Sequence, residues 1–99
     1  MNIPFFKKHK VTSLYDKNTI ALDVGTEYVK AAIFKVVDGQ VHIKGYAKAK
    51  QQSDAMKGAM IVDLQNVIEN CDMAIGEALY GIEKEELPTH VVMGIAGEL

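Results

Sequence analysis

The stretch Asp23-Val24-Gly25-Thr26-Glu27-Tyr28-Val29-Lys30 holds the residues best suited to chemistry. It falls where one apolar run bends back into the next, and glycine at such a bend lets the backbone approach an anion closely. The N–H groups of Gly25, Thr26 and Glu27 are spaced to form an anion-binding nest, and the Thr26 hydroxyl adds a further donor. Asp23, at the carboxyl end of the first run, suits the hydration shell of a magnesium ion, which keeps several waters and takes few direct carboxylates. Lys30 offers a point charge for a phosphate. The same letters also spell an ordinary β-turn, since Asp, Gly and Thr are common turn residues, so both readings stand at this point.

Other reactive residue types have plainer roles. Cys71 sits on the apolar stripe of an expected helix and reads as an inert core thiol; as the sole cysteine it forms no intramolecular disulfide. His9, His42 and His90 lack metal-ligand spacing. Met56, Met60, Met73 and Met93 read as packing or loop residues. Tyr46, on the wet side of a strand, is available to a partner.

The elements that must position the turn follow from the apolar pattern. Thr19 to Val24 reads as a central strand buried on both faces. Tyr28 to Val37 is rich in β-branched residues, and Asp38-Gly39 supplies a two-residue hairpin turn. From Val41 to Ala49 the alternation predicts one face of Val41, Ile43, Gly45, Ala47 and Ala49 toward a core and the intervening residues toward water. Together these make a three-stranded antiparallel meander. Lys50 to Lys57 reads as a polar loop and Gly58 to Val62 as a brief apolar run, and Asp63 is a good helix N-cap. Leu64, Val67, Ile68, Cys71, Ile75, Ala78, Leu79 and Ile82 then recur at helical spacing, with Gln65, Asn66, Glu69, Asn70, Asp72 and Glu77 on the far side. Gly81 ends this helix, and Leu87-Pro88 leads into a second buried strand, Val91 to Ile95.

Bulk properties set the bounds. The chain has 99 residues, 48% of them hydrophobic, enough for one modest core. A net charge of -2 advertises no nucleic-acid partner. The basic tip, Phe5 to Lys10, precedes no signal-peptide core and reads as a solvated tail, and the setting expected is cytoplasmic. A strand buried on both faces needs neighbours, and one helix covers one face of a sheet, so a continuation or a partner chain is expected.

Residues 21–30 resemble the first phosphate motif of the actin and sugar-kinase superfamily, a strand, an Asp-x-Gly-Ser/Thr turn and a returning strand. Lys57-Gly58-Ala59-Met60-Ile61-Val62-Asp63 and the following helix resemble a segment of the FtsA family within it, as does His90-Val91-Val92-Met93-Gly94-Ile95-Ala96-Gly97. The resemblance covers about residues 19–99 and implies an α/β fold: part of an actin-like, ribonuclease-H-like subdomain with a meander, one long helix and a further strand. It divides the chain into a basic tail (1–17), the first part of a nucleotide-binding subdomain (18–87) and a strand leading into the family's extra subdomain (88–99).

The resemblance further implies that Asp23, Gly25, Thr26, Glu27 and Lys30 serve ATP, with Asp23 holding magnesium through water. The full-length parent would then be an ATP-binding cell-division adaptor that self-associates and links an FtsZ-like ring to the cytoplasmic face of the inner membrane. The second phosphate loop and the membrane-targeting helix of that family lack counterparts here, so negligible ATP affinity is expected of this chain alone, and it is not expected to be an enzyme by itself. Two other readings share the first motif. One is a PilM-like pilus-assembly scaffold. The other is a ribonuclease-H-like metal-dependent nuclease, in which Glu69 or Glu77, with Asp63 a poorer choice, would join Asp23.

Overall fold

A computed structural model describes residues 15–52, 55–57 and 60–95. The basic tip, Gly58, Ala59 and the stretch from Ala96 onward, all used above, lie outside the described residues.

Three strands follow one another, β1 (Thr19–Val24), β2 (Tyr28–Val37) and β3 (Gln40–Lys50). A small hairpin of β4 (Met56–Lys57) and β5 (Met60–Ile61) precedes helix α1 (Leu64–Ala78), and a short 3-10 turn (Lys84–Glu86) precedes β6 (His90–Ile95). The sheet order is β3-β2-β1-β6, with β1 antiparallel to β2 and parallel to β6. This is a mixed α/β architecture with the expected meander, helix and further strand. The β2–β3 hairpin turns at Asp38 (φ 52°) and Gly39 (φ 77°), the consecutive positive-φ residues that an Asp-Gly hairpin supplies.

Alternation sorts the strands into two faces. Ile20, Leu22 and Val24 of β1, Val29, Ala31 and Ile33 of β2, and Ala47 and Ala49 of β3 form the buried side, covered by Val67, Ala74 and Ala78 of α1. The helix lies chiefly over β2 and β3. Its small residues let it come close: a Cβ on Gly45 would stand 2.0 Å from the Ala78 carbonyl oxygen, so glycine is what admits the helix backbone there.

Four expectations are corrected. The face of β3 is not continuous, because a bulge between Ile33 and Phe34 shifts the pairing to Phe34 opposite Ile43 and Val36 opposite Val41. Ile43 and Val41 therefore leave the core side, at 60% and 62% exposed, while Gly45, Ala47 and Ala49 keep it. The helix stripe is also rotated: Leu64 and Ile68 are exposed, whereas Asn70, assigned to the far side, is buried. The loop after β3 is neither wholly polar nor wholly solvated, since Gln51, Ala55 and Met56 are buried and Met56–Lys57 pairs with Met60–Ile61. Finally, among the described residues β6 is an edge strand exposed along all six residues rather than a buried one, because there it pairs with β1 alone and the helix does not cover it.

The helix start follows the sequence, but its end comes early, so that Leu79 and Ile82 of the expected stripe lie beyond it. Asp63 is the N-cap, its Oδ1 accepting the Asn66 N–H at 3.1 Å. The helix ends at Ala78, and Gly81 (φ 82°) stands in the turn just beyond it. Asn18, buried before β1, donates from Nδ2 to the Glu86 carbonyl at 2.7 Å and so ties the start of the sheet to the segment before β6.

Candidate functional site

The turn between β1 and β2 is built by pairing that runs to its tip. Val24 pairs with Val29, and the Gly25 N–H donates to the Tyr28 carbonyl at 2.9 Å. A Cβ on residue 25 would stand 3.0 Å from that same oxygen, so the turn itself favours glycine. The Gly25 amide is thus spent within the hairpin. Neither Thr26 nor Glu27 donates its N–H to another backbone carbonyl among the described residues. Of the three amides expected to face an anion, two are therefore left without such a bond.

Behind the turn lies a buried polar relay. The Gln51 N–H donates to the Glu27 carbonyl at 2.7 Å, and its side-chain Nε2 donates to the Gly25 carbonyl at 3.2 Å. Asn70 of α1 donates from Nδ2 to Gln51 Oε1 at 2.7 Å and to Asn66 Oδ1 at 3.1 Å. Gln51 and Asn70 are both buried, so their amides depend on one another for partners. Both turn carbonyls are drawn inward, and the helix holds the residue that holds them. Sequence reading missed this relay, because Gln51 lay in a segment read as loop and Asn70 among residues read as solvated. The one available signal was polar residues at the i, i+4 spacing of Asn66 and Asn70 on the first turns of a helix.

Four of the five expected site residues fall into two pairs, with Gly25 in the turn between them. Asp23 and Lys30 are directly opposed across the β1–β2 ladder, both exposed on the sheet face away from the helix. They line a depression of about 370 Å³ with Ala21, Ala32, Tyr46 and Gly94. Thr26 and Glu27 instead border a second depression of about 480 Å³ with Tyr28, Lys50, Gln51 and Met56. Asp23 with Lys30, and Thr26 with Glu27, are brought together; the two pairs flank the hairpin tip without sharing one hollow.

The described residues contain no group of three or more His, Cys, Asp or Glu side chains able to hold a metal ion. Asp23 is thus a single carboxylate outside any such group among the described residues. Glu69 and Glu77 point to solvent from the helix on one side of the sheet, while Asp23 projects from the other. The sheet separates the carboxylates that two-metal nuclease chemistry would have to bring together. Cys71 is partly buried, and that burial, aided by the charge of Asp72, pushes its thiol up and keeps it protonated. No helix among the described residues is long and apolar enough to cross a membrane.

No protein-family model matches the chain. Over 59 residues, 60% of this chain and 13% of the relative, the sequence is 30% identical to the cell division protein FtsA of Enterococcus faecalis. The chain therefore matches only a small part of that relative's length, and its likeness is to a piece of an FtsA protein.

Proposed function

We propose that this chain is an FtsA-like piece of an actin-like, ATP-binding cell-division adaptor, and that the β1–β2 turn is its phosphate side. The observation that supports this best is the opposition of Asp23 and Lys30 at the end of an interior strand, on a hairpin whose tip carries the Thr26 and Glu27 amides, in a chain with a segment similar to FtsA. In this reading Thr26 and Glu27 receive phosphate oxygens, Lys30 neutralises charge on them, and Asp23 orders water around magnesium. Gly25 gives the turn its close approach and donates nothing to the ligand. Gln51, held by Asn70, keeps the Gly25 carbonyl pointing inward, which turns the Thr26 N–H of the same peptide outward before any ligand arrives.

An anion needs convergent groups from both sides of a cleft, and one turn offers only one side. In the full-length parent, which would self-associate and link an FtsZ-like ring to the cytoplasmic membrane, the remaining groups would come from other segments.

The reading is tested by a chimera in which this chain's matching segment replaces that of the Enterococcus faecalis relative. ATP with magnesium is expected to slow proteolysis of the chimera, and Asp23→Ala is expected to abolish that protection while leaving the unliganded digestion pattern unchanged. A folded chimera whose digestion ignores ATP would sink the proposal.

A further inference from the structure

Asn18, only 5% exposed, fastens the start of β1 to the segment before β6 with half of its amide and leaves the other half unused. Its Nδ2 donates to the Glu86 carbonyl at 2.7 Å and lies 3.3 Å from Glu86 Oε2. Both partners are acceptors, so the amide is fixed in this sense; turned over, it would set its oxygen against two oxygens. The Oδ1 left on the other side accepts no hydrogen bond among the described residues and is closed to bulk water. A buried acceptor without a donor is costly, and native structures supply such groups with an ordered water, an ion or a ligand. Asn18 also lies on the wall of a hollow of about 260 Å³, at the end of β1 opposite the phosphate turn. Asp16, Glu85 and Glu86 line that hollow together with Lys17 and Lys35, so both signs of charge border it. All of these charged side chains but Lys35 are exposed, and they can swing aside to admit a ligand.

We propose that this hollow binds a small amino acid as its zwitterion, the ammonium donating to Asn18 Oδ1 and the Glu86 carboxylate, and the ligand's carboxylate turned toward Lys17 and Lys35. A primary ammonium brings three donors, one for the orphaned oxygen and the others for the charged acceptors beside it. A bare metal ion suits the hollow less well, because no three carboxylates among the described residues converge to hold one. A water alone would satisfy the oxygen but would answer neither set of charges. The volume lies just below the range of about 300–1,000 Å³ usual for drug-sized ligands, which points to a molecule of glycine or alanine size. None of the turn residues takes part, so the site stands or falls separately from the function proposed above.

The test titrates the full chain with glycine at constant ionic strength, following the Asn18 side-chain amide and the backbone amides of Lys35 and Glu86. Its controls are methylammonium and acetate, the two halves of the ligand, and N,N,N-trimethylglycine, which keeps both charges but has no N–H to donate. Saturable shifts are expected with glycine, weaker binding with either half, and none with trimethylglycine. Glu86→Gln and Lys35→Gln leave the Asn18 bond to the residue 86 carbonyl in place, and each is expected to weaken glycine binding about tenfold. Thr26→Val leaves it unchanged. Absence of saturable shifts, as when water alone serves Asn18, would overturn the proposal, as would trimethylglycine binding as tightly as glycine or both Gln variants binding like the parent.

Discussion

Gln51 and Asn70 show how much of the candidate site rests on residues that touch no ligand. Each satisfies a buried amide of the other, and Gln51 alone reaches both turn carbonyls. Asn70→Ala is therefore expected to cost about 1–3 kcal/mol, because it strands the Gln51 oxygen in a buried setting. Urea unfolding measures this, and the double variant Gln51→Leu/Asn70→Leu should lose less than the two single losses combined, since both orphaned groups vanish together. Cys71 makes a second case at this scale. Burial raises its thiol above the usual range, so its contribution is fully present below the unfolded thiol's pKa. As pH climbs past that value the unfolded chain ionises first, and stability drains away until the folded thiol ionises as well. Urea midpoints measured from about pH 8 to 10 should fall more steeply for the parent chain than for Cys71→Ser. Alkylation of Cys71 in the folded chain should be slower than in the urea-unfolded chain at the same pH.

Among the elements, Gly45 is the position where the sheet and helix are least forgiving. Gly45→Ala would drive a methyl into the Ala78 backbone, and a cost of about 1–3 kcal/mol is expected, read as a lower urea midpoint. The rotated helix stripe gives a paired expectation: Ile68→Lys stays within about 0.5 kcal/mol of the parent, while Val67→Ala costs about 1–3 kcal/mol. The sequence pattern placed the strands of the meander, the Asp38-Gly39 turn and the Asp63 cap correctly because each is fixed by neighbours within a few residues. It misplaced Val41 and Ile43 because a bulge is set by the partner strand, and an unbroken alternation gives no sign of it. It put Ile68 inside and Asn70 outside because hydropathy alone cannot see that Gln51 waits in the core for an amide. At the site, the opposition of Asp23 to Lys30 was legible from the hairpin, whereas the use of the Gly25 amide and the division into two hollows depended on three-dimensional pairing.

At the scale of the whole molecule, the described residues cover the sheet on one face over β1 to β3 and leave it open elsewhere. β6 carries Val91, Val92, Met93 and Ile95 at 44–60% exposure, and the face bearing Asp23 and Lys30 has no covering element among the described residues. That openness bears directly on binding. The turn offers two amides, one hydroxyl, one lysine and one carboxylate from a single side, so calorimetric titration of this chain with magnesium-ATP should show no saturable heat attributable to the turn. The most direct test of the central claim therefore uses the chimera with the Enterococcus faecalis relative, grown with isotope-labelled threonine so that the amide of Thr26 can be followed. Magnesium-ATP is expected to shift that resonance saturably in the parent chimera and not in the Lys30→Ala variant; a Thr26 amide that ignores saturating nucleotide in a folded chimera would contradict the account.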